Sequence, residues 1–256
     1  MTGHRQDGPA ARRRVARGRP AAFFDVDGTL TRMTTMFDFL AFHLAARGRP
    51  EDYDRLRGRM NALAAAGADR VRTCREYYLG YAGEAASELS AQGERWFGAR
   101  HREGGMFRPA ALAAFRAHAA AGHLTVLVSG SFPACLDPLA RFLGADVVLC
   151  SRPEIRGGRH TGAIATPMIG EAKAAAIRDL STRCSIALDG SYAYGDHISD
   201  VAMMNTVATP MVVGADPELL EYAISRGWRR LREDPRPDGP RQVAAGRRRP
   251  PEGKRP

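Results

Sequence analysis

The chain has 256 residues, of which 44% are hydrophobic, so it can bury a sizeable core in one domain or two small ones. No apolar stretch approaches the length needed to cross a bilayer. Its net charge of +10 comes mainly from the ends, since residues 1–20 carry +5, residues 232–256 carry +4 and residues 21–231 carry +1. A nucleic-acid-binding protein is expected to place its positive charge on a folded face, so this distribution argues against that class, although the Arg-rich ends keep it as an alternative.

Both ends are rich in Arg, Pro and Gly and poor in apolar residues, which predicts disordered basic tails over residues 1–20 and 232–256. The only apolar run after the basic N-terminus is too short for a signal-peptide core. The four cysteines are scattered without a Cys-x-x-Cys pair. They could form two disulfides, but this spacing favours a reduced protein of the cytoplasm.

The first predicted element is a buried strand of a parallel sheet, formed by the apolar run from Ala21 to Phe24. It leads into Asp25 and Asp27, and the Asp-Gly pair that follows predicts a tight turn. Ligands of open α/β sheets bind at the carboxyl ends of strands, so two acids stand where a site is expected. Taken alone, the segment could equally be a polar strand end whose aspartates hydrogen-bond the turn.

Helical signals fill the next seventy residues. A helix is predicted over residues 36–46, where apolar residues follow helical spacing, and three more are predicted near 50–66, 68–82 and 84–101. No strand signal interrupts them, so residues 33–104 are predicted to be a helical insert.

An alternation of helices and strands follows the insert. The predicted helices cover residues 109–121, 136–143, 170–181, 198–204 and 217–226. The predicted strands cover 123–128, 146–150, 192–194 and one or two short stretches within 207–213, and a small hairpin covers 153–164. This order predicts an α/β fold with a doubly wound parallel sheet.

Four polar segments stand at strand ends or helix starts: DVDGT at 25–29, SGS at 129–131, Lys173 and GDHISD at 195–200. In this order they resemble the motifs of the haloacid dehalogenase-like phosphohydrolases, in particular the phosphoserine-phosphatase-like branch (subfamily IB type). The resemblance covers roughly residues 21 to 231. It implies a Rossmann-like core over residues 21–32 and 105–231, a helical cap over residues 33–104, and a magnesium-dependent phosphatase.

The resemblance also implies the roles of the acidic residues. Asp25 is expected to attack phosphorus and form an aspartyl-phosphate, which water then hydrolyses. The side chain of Asp27 is expected to act as general acid and base. Mg²⁺ is expected to bind the carboxylates of Asp25 and Asp196 and the backbone carbonyl of Asp27, which are the oxygen ligands it prefers. Asp200 is expected to orient the water molecules of the metal.

The phosphoryl group is expected to contact Ser129, the Gly130 amide and Lys173. On its own, Ser129-Gly130-Ser131 would be explained as an ordinary helix cap. Lys173 has separate support, because Lys173 and Lys254 are the only lysines among 38 basic residues. A site that accepted any cation would be Arg in such a chain, whereas a compact ammonium suits a crowded pocket of carboxylates and phosphate.

Two departures from the branch, at positions 34 and 197, bear on the substrate. Position 34 is Thr34, where phosphoserine phosphatases carry a Glu that binds the substrate ammonium. Phe37 follows closely. Arg72 and Arg75 are possible substrate contacts, but a solvated helix face is the favoured interpretation of both. Position 197 is His197, where the branch commonly has a small residue. Its side chain could contact the substrate or point to solvent, and the second is favoured.

We therefore expect a magnesium-dependent phosphomonoesterase that acts on a small organic phosphate other than phosphoserine, with neither nucleic acid nor membrane as partner. A phosphotransferase of the same fold remains an alternative. Dehalogenation fits less well, because it requires neither a metal nor a proton donor two residues after the nucleophile.

Overall fold

The computed structural model describes residues 18–232, and the predictions made for residues 1–17 and 233–256 lie outside the described residues. Within that range, a six-stranded parallel sheet with strand order β3-β2-β1-β6-β7-β8 forms the centre of the fold, beside a two-stranded antiparallel hairpin, β4-β5. The strands are β1 (Ala21–Phe24), β2 (Leu124–Ser129), β3 (Val147–Cys150), β4 (Pro153–Arg156), β5 (Arg159–Ile164), β6 (Tyr192–Gly195), β7 (Thr209–Val212) and β8 (Arg229–Arg230).

Helices flank this sheet and fill most of the interval between β1 and β2. They are α1 (Thr35–Ala46), α2 (Pro50–Ala65), α3 (Arg70–Tyr78), α4 (Ala86–Glu103), α5 (Pro109–Ala120), α6 (Pro133–Leu143), α7 (Glu171–Cys184), α8 (Val201–Met204) and α9 (Pro217–Arg226). Short 3₁₀ turns cover Leu79–Tyr81, Leu188–Gly190 and Ile198–Asp200. No helix of the described residues is long and apolar enough to span a bilayer.

The strand order explains where a site can form. The chain moves outward from β1 through β2 to β3 and then returns to the other side of β1 to form β6. The neighbouring strands β1 and β6 therefore flank the topological switch point of the sheet, where α/β proteins bind their ligands.

The two faces of β1 pack into separate hydrophobic clusters, because successive side chains of a strand point to opposite faces. Ala22 and Phe24 belong to a cluster that continues into the helices between β1 and β2. Ala21 and Phe23 belong to a cluster formed with α7, α8 and α9. The helical insert and the sheet thus share one continuous core.

Two further contacts hold the insert against the rest of the protein. Gly93 of α4 lies so close to α6 that a β-carbon at this position would be 1.8 Å from the carbonyl oxygen of Ala134. Because Pro138, four residues after Ala134, has no N–H, that carbonyl does not accept the usual hydrogen bond within the helix. On the other side, the amide of Gly83 donates to the carbonyl of His160 in β5 at 2.8 Å.

Three differences between the structure and the predicted elements have a clear physical cause. Helix α6 begins at Pro133 rather than at residue 136, since a proline is favoured at the first helical position. Strand β8 was not predicted, because two arginines at a sheet edge give no hydrophobic pattern. Composition assigned residues 18–20 to the basic tail, but Arg19 pairs with Ile186 and its Nε donates to the carbonyl of Gly122 at 2.7 Å.

Candidate active site

A cavity of about 300 Å³ lies at the carboxyl ends of β1 and β6. Asp25 directly follows β1, and its amide donates to the carbonyl of Tyr194 in β6 at 3.0 Å. Asp196 directly follows β6. The switch point of the sheet therefore brings together two acids that are 171 positions apart in the sequence.

Lys173 joins the acids at the floor of this cavity. Its Nζ donates to Oδ1 of Asp25 at 2.6 Å and to Oδ1 of Asp200 at 2.7 Å, and the residue is only 5% exposed. Burial alone would lower the pKa of Lys173, but the carboxylates of Asp200 and Asp25 outweigh it and raise that pKa above its ordinary value. Lys173 is therefore a fixed positive charge beside Asp25.

The carboxylates of Asp25, Asp196 and Asp200 form a compact group, in which one oxygen atom from each lies within 4.8 Å of the other two. Burial raises the pKa of Asp25 well above its ordinary value, although Lys173 counteracts this rise. Burial, together with the charge of Asp200, also raises the pKa of Asp196. The three carboxylates thus have only the ammonium of Lys173 to balance them. This excess of negative charge, carried by oxygen atoms, suits a hard divalent cation.

Gly28 allows the first motif to approach Asp196 closely. Its φ is 89°, which favours glycine, and a β-carbon here would be 2.1 Å from Oδ2 of Asp196. Thr29, the next residue, donates from its hydroxyl to Oδ1 of Asp196 at 2.9 Å. The DVDGT segment therefore holds the carboxylate of Asp196 as well as supplying Asp25.

The side chain of Asp27 has different neighbours from that of Asp25. Its Oδ1 accepts from the backbone N–H of Thr35 at 2.7 Å and from the hydroxyl of the same residue, at the start of α1. Burial raises the pKa of Asp27 to about 6, against the effect of these hydrogen bonds. A carboxyl with such a pKa can hold or release a proton near neutral pH.

Ser129 and Gly130 stand at the carboxyl end of β2, beside the same cavity, but Ser129 is not one of the residues that line it. Ser129 is the last residue of β2 and is buried, and its Oγ accepts from the amide of Ser131 at 3.0 Å. Gly130 lines the cavity. Helix α6 begins three residues later, at Pro133, so its N-terminus also faces this end of the sheet.

The helical insert forms the opposite wall. Thr34 and Phe37 line the cavity, but Arg72 and Arg75 line a separate surface hollow, where Arg75 donates to the carbonyl of Ala165 at 3.2 Å. Arg70, which the sequence analysis did not select, lines the cavity instead.

His197 also lines the cavity rather than pointing away into solvent. Its Nδ1 accepts from the amide of Ser199 at 3.0 Å, which caps the 3₁₀ turn that ends at Asp200. Nη1 of Arg70 lies 2.9 Å from the same nitrogen. The contact brings α3 of the insert against the loop that carries Asp196.

Most aromatic residues of the insert are structural. Phe39, Tyr77, Tyr78, Tyr81 and Trp96 are among the most deeply buried side chains of the protein. By contrast, Phe37 is partly exposed at the cavity wall, and the guanidinium of Arg57 lies 4.2 Å from the centre of its ring.

Comparison with known proteins shows the family and the fold of this chain. The model of a haloacid dehalogenase-like hydrolase family matches residues 22–205. A probable phosphatase of Mycobacterium tuberculosis is 38% identical over 112 residues, which cover 44% of this chain and 39% of that protein. A phosphoserine phosphatase of the same species is 28% identical over 225 residues, which cover 81% of this chain and 69% of that protein. The first curated relatives are matched over only about two fifths of their own length.

Solved structures give the same fold. A Bordetella pertussis protein of unknown function superposes with a TM-score of 0.75 and 27% identity, over 85% of this chain and 100% of that chain. A substrate-bound phosphoserine phosphatase superposes with a TM-score of 0.61 over 84% of this chain and 94% of that chain, and at 18% identity it supports the fold alone. Since the family match covers most of the chain and includes all four polar segments around the cavity, the chain belongs to the haloacid dehalogenase-like hydrolase family.

Proposed function

We propose that the protein hydrolyses phosphate monoesters through a covalent intermediate on Asp25. The observation that carries this proposal is the buried contact between Asp25 and Lys173, 2.6 Å long, at the switch point of the sheet. The ammonium holds one carboxylate oxygen of Asp25, so the other oxygen can face an incoming phosphorus atom. The phosphatase names of two of the relatives support the same reaction class.

In the proposed first step, an oxygen of Asp25 attacks phosphorus and the bond from phosphorus to the ester oxygen breaks. The departing alcohol takes its proton from Asp27, and an aspartyl-phosphate remains on Asp25. In the second step, water attacks this phosphorus, gives its proton to Asp27, and releases inorganic phosphate and free Asp25. The different surroundings of the two carboxyls agree with these two roles, since Asp27 is held by Thr35 and Asp25 by Lys173.

Attack of a carboxylate on a phosphate dianion requires positive charge and fixed donors around the transferred group. Lys173 supplies a buried charge, while the hydroxyl of Ser129 and the amide of Gly130 are proposed to donate to phosphoryl oxygens. Ser129 and Gly130 stand at the carboxyl end of β2, and Lys173 stands in the first turn of α7.

Mg²⁺ fits the acidic group at this edge. The donors are all oxygen atoms, and the negative charge of Asp25, Asp196 and Asp200 exceeds what Lys173 balances. We propose that Asp25, Asp196 and the backbone carbonyl of Asp27 hold the ion, with Asp200 fixing Lys173 and orienting bound water. When bound, Mg²⁺ would reduce the repulsion between the carboxylates and the phosphate.

We propose that residues 33–104 act as a cap that covers the substrate and excludes water. Its contribution to the cavity wall includes the hydroxyl of Thr34 and the guanidinium of Arg70. Among the described residues, every acid that lines the cavity belongs to the sheet edge and none to the cap, so the wall offers no carboxylate to a substrate ammonium. A phosphate monoester larger than phosphoserine and without an ammonium group fits this wall best.

A phosphate-release screen over phosphorylated metabolites, with Mg²⁺ present, tests the proposed function. We expect release from sugar, nucleoside or other cyclic alcohol phosphates with a higher kcat/KM than from phosphoserine. A clear preference for phosphoserine would show that its ammonium is bound by groups other than position 34. Release from none of the compounds would contradict the proposed function.

Removal of divalent metal is expected to abolish this activity. Excess EDTA should reduce phosphate release to background, and excess Mg²⁺ should restore it, because the buried carboxylates would otherwise repel the substrate. The measurement is the initial rate of phosphate release before chelation, after it, and after Mg²⁺ is added back. Full activity in EDTA would favour a metal-free reaction on Asp25 and contradict the metal assignment.

Arg70 is expected to contribute to substrate binding, whereas Arg72 on the same helix is not. Arg70→Ala should raise KM about tenfold with a smaller change in kcat, since a charge-assisted hydrogen bond typically contributes at least this much. Arg72→Ala is the matched control and should keep both constants. Equal effects of the two substitutions would mean that the cavity wall does not bind the substrate through Arg70.

A further inference from the structure

The carbonyl of Gly130 accepts two buried hydrogen bonds. The hydroxyl of Tyr78, from α3 of the insert, donates to it at 2.9 Å, and the hydroxyl of Ser151 donates to it at 2.8 Å. Tyr78 is 1% exposed and Ser151 is fully buried. Burial also raises the pKa of Tyr78 well above its ordinary value, so its hydroxyl remains a donor. Both lone pairs of this carbonyl are therefore engaged.

The amide in the same peptide group makes the next hydrogen bond. The Gly130 carbonyl and the Ser131 N–H belong to one planar unit, so fixing the carbonyl also fixes the direction of the N–H. That N–H donates to Oγ of Ser129 at 3.0 Å. Because Oγ accepts there, the hydroxyl hydrogen of Ser129 is directed elsewhere and can be donated to a phosphoryl oxygen.

Ser151 connects this peptide to the segment that precedes Lys173. Its Oγ accepts from the amide of Met168 at 2.9 Å, and its own amide donates to the carbonyl of Ser131 at 3.0 Å. Ile169, the next residue after Met168, lies against Gly130, where a β-carbon would be 3.4 Å from its side chain. Residues 129–131, the insert and the segment just before α7 therefore meet at the carbonyl of Gly130.

We propose that Tyr78 is a positioning residue through which the cap orients the phosphate-binding hydroxyl of Ser129. Its hydroxyl holds the Gly130–Ser131 peptide, and this peptide holds Ser129, so hydrogen bonds in series connect α3 with the transferred group. Phosphoryl binding is then strongest when α3 is seated against the sheet. The inference rests on the proposed function, because it assigns the phosphoryl group to Ser129.

The test is a double-mutant cycle between Tyr78→Phe and Ser129→Ala, with p-nitrophenyl phosphate as substrate and inorganic phosphate as ligand. Tyr78→Phe keeps the ring and removes the donor. We expect it to lower kcat/KM about tenfold, the usual effect of losing one buried hydrogen bond, and to weaken phosphate binding by a similar factor. In the Ser129→Ala background we expect no further loss, because the group that Tyr78 orients is absent.

Two further variants separate positioning from general stability. Tyr81→Phe removes another buried hydroxyl, which lies 2.7 Å from that of Tyr77, and it should leave kcat/KM and phosphate affinity unchanged. Ser151→Ala removes the second donor to Gly130 and should act in the same direction as Tyr78→Phe, so the proposal can be tested even if Tyr78→Phe fails to fold.

The outcomes distinguish the two proposals. Wild-type phosphate affinity in both Tyr78→Phe and Ser151→Ala would overturn the positioning role while leaving the hydrolysis intact. Additive losses of Tyr78→Phe and Ser129→Ala would also overturn it, because they would indicate independent effects. If the unaltered protein neither released nor bound phosphate, the proposed function would fall and the positioning role with it.

Discussion

Replacing Asp25 with Asn is expected to reduce phosphate release by at least about 10³-fold, the order of loss seen when a covalent nucleophile is removed, while the protein stays folded. Asn has nearly the same shape as Asp but lacks the charge that attacks phosphorus. Lys173 keeps its contact with Asp200 at 2.7 Å, so the substitution leaves no buried ammonium without a carboxylate. The loss should therefore appear in kcat and not in stability.

The control for this substitution is Asp146→Asn. Asp146 lies outside the cavity and accepts from the amide and the hydroxyl of Thr125, both at 2.8 Å, and an amide oxygen can accept the same bonds. We expect near-wild-type turnover from this variant. Single-turnover phosphate release and urea unfolding should be measured for both proteins. Near-normal release from Asp25→Asn would contradict the assignment of the nucleophile.

Much of the sheet could be predicted because its strands are short apolar runs that end in polar motifs. Phe24 and Asp25 mark the end of β1, and Gly195 and Asp196 mark the end of β6 in the same way. Parallel strands place their carboxyl ends at one edge, so the proximity of these motifs follows from the α/β pattern. Sequence patterns do not give the contact distances, and the bridge from Lys173 to both Asp25 and Asp200 is visible only in the structure.

The cavity wall was harder to predict because it depends on the phase of α3. Positions 70, 74, 77 and 78 lie on one face of a helix, whereas positions 72 and 75 lie off that face. Cys74, Tyr77 and Tyr78 are buried, so Arg70 at the start of this face lies beside the cavity. This spacing was available in the sequence and would have favoured Arg70 over Arg72 and Arg75. The position of His197 depends instead on the turn that it caps.

Some contacts between the cap and the sheet edge could not be derived from local patterns. The carboxylate of Asp27 holds the first turn of α1 through Thr35, and Tyr78 reaches the carbonyl of Gly130 from a residue 52 positions away. A tyrosine on the apolar face of a helix is predicted to be a core residue, and Tyr78 is one by burial. Its hydroxyl nevertheless donates to the carbonyl of Gly130, a long-range contact that the helical period does not encode.

Replacing Lys173 with Arg is expected to lower kcat/KM at least about 10²-fold, a loss typical of a misplaced charged group at a reaction centre, although the positive charge is kept. The ammonium lies 2.6 Å from Asp25 and 2.7 Å from Asp200 and is 5% exposed. A planar guanidinium is wider and would have to displace one of the two carboxylates. Displacing Asp25 moves the nucleophile, so kcat should fall more than KM rises.

Arg178→Lys is the matched control, because it makes the reverse exchange at an exposed position of the same helix. Exposed charges contribute little to stability, so this variant should retain wild-type kinetics and unfolding. Lys173→Arg should also unfold at a lower urea concentration, since it disturbs a buried and paired charge. Turnover of Lys173→Arg at the wild-type rate would contradict the idea that the site requires a compact ammonium. The fold would be unaffected by that result, because it depends on the apolar strands and not on this contact.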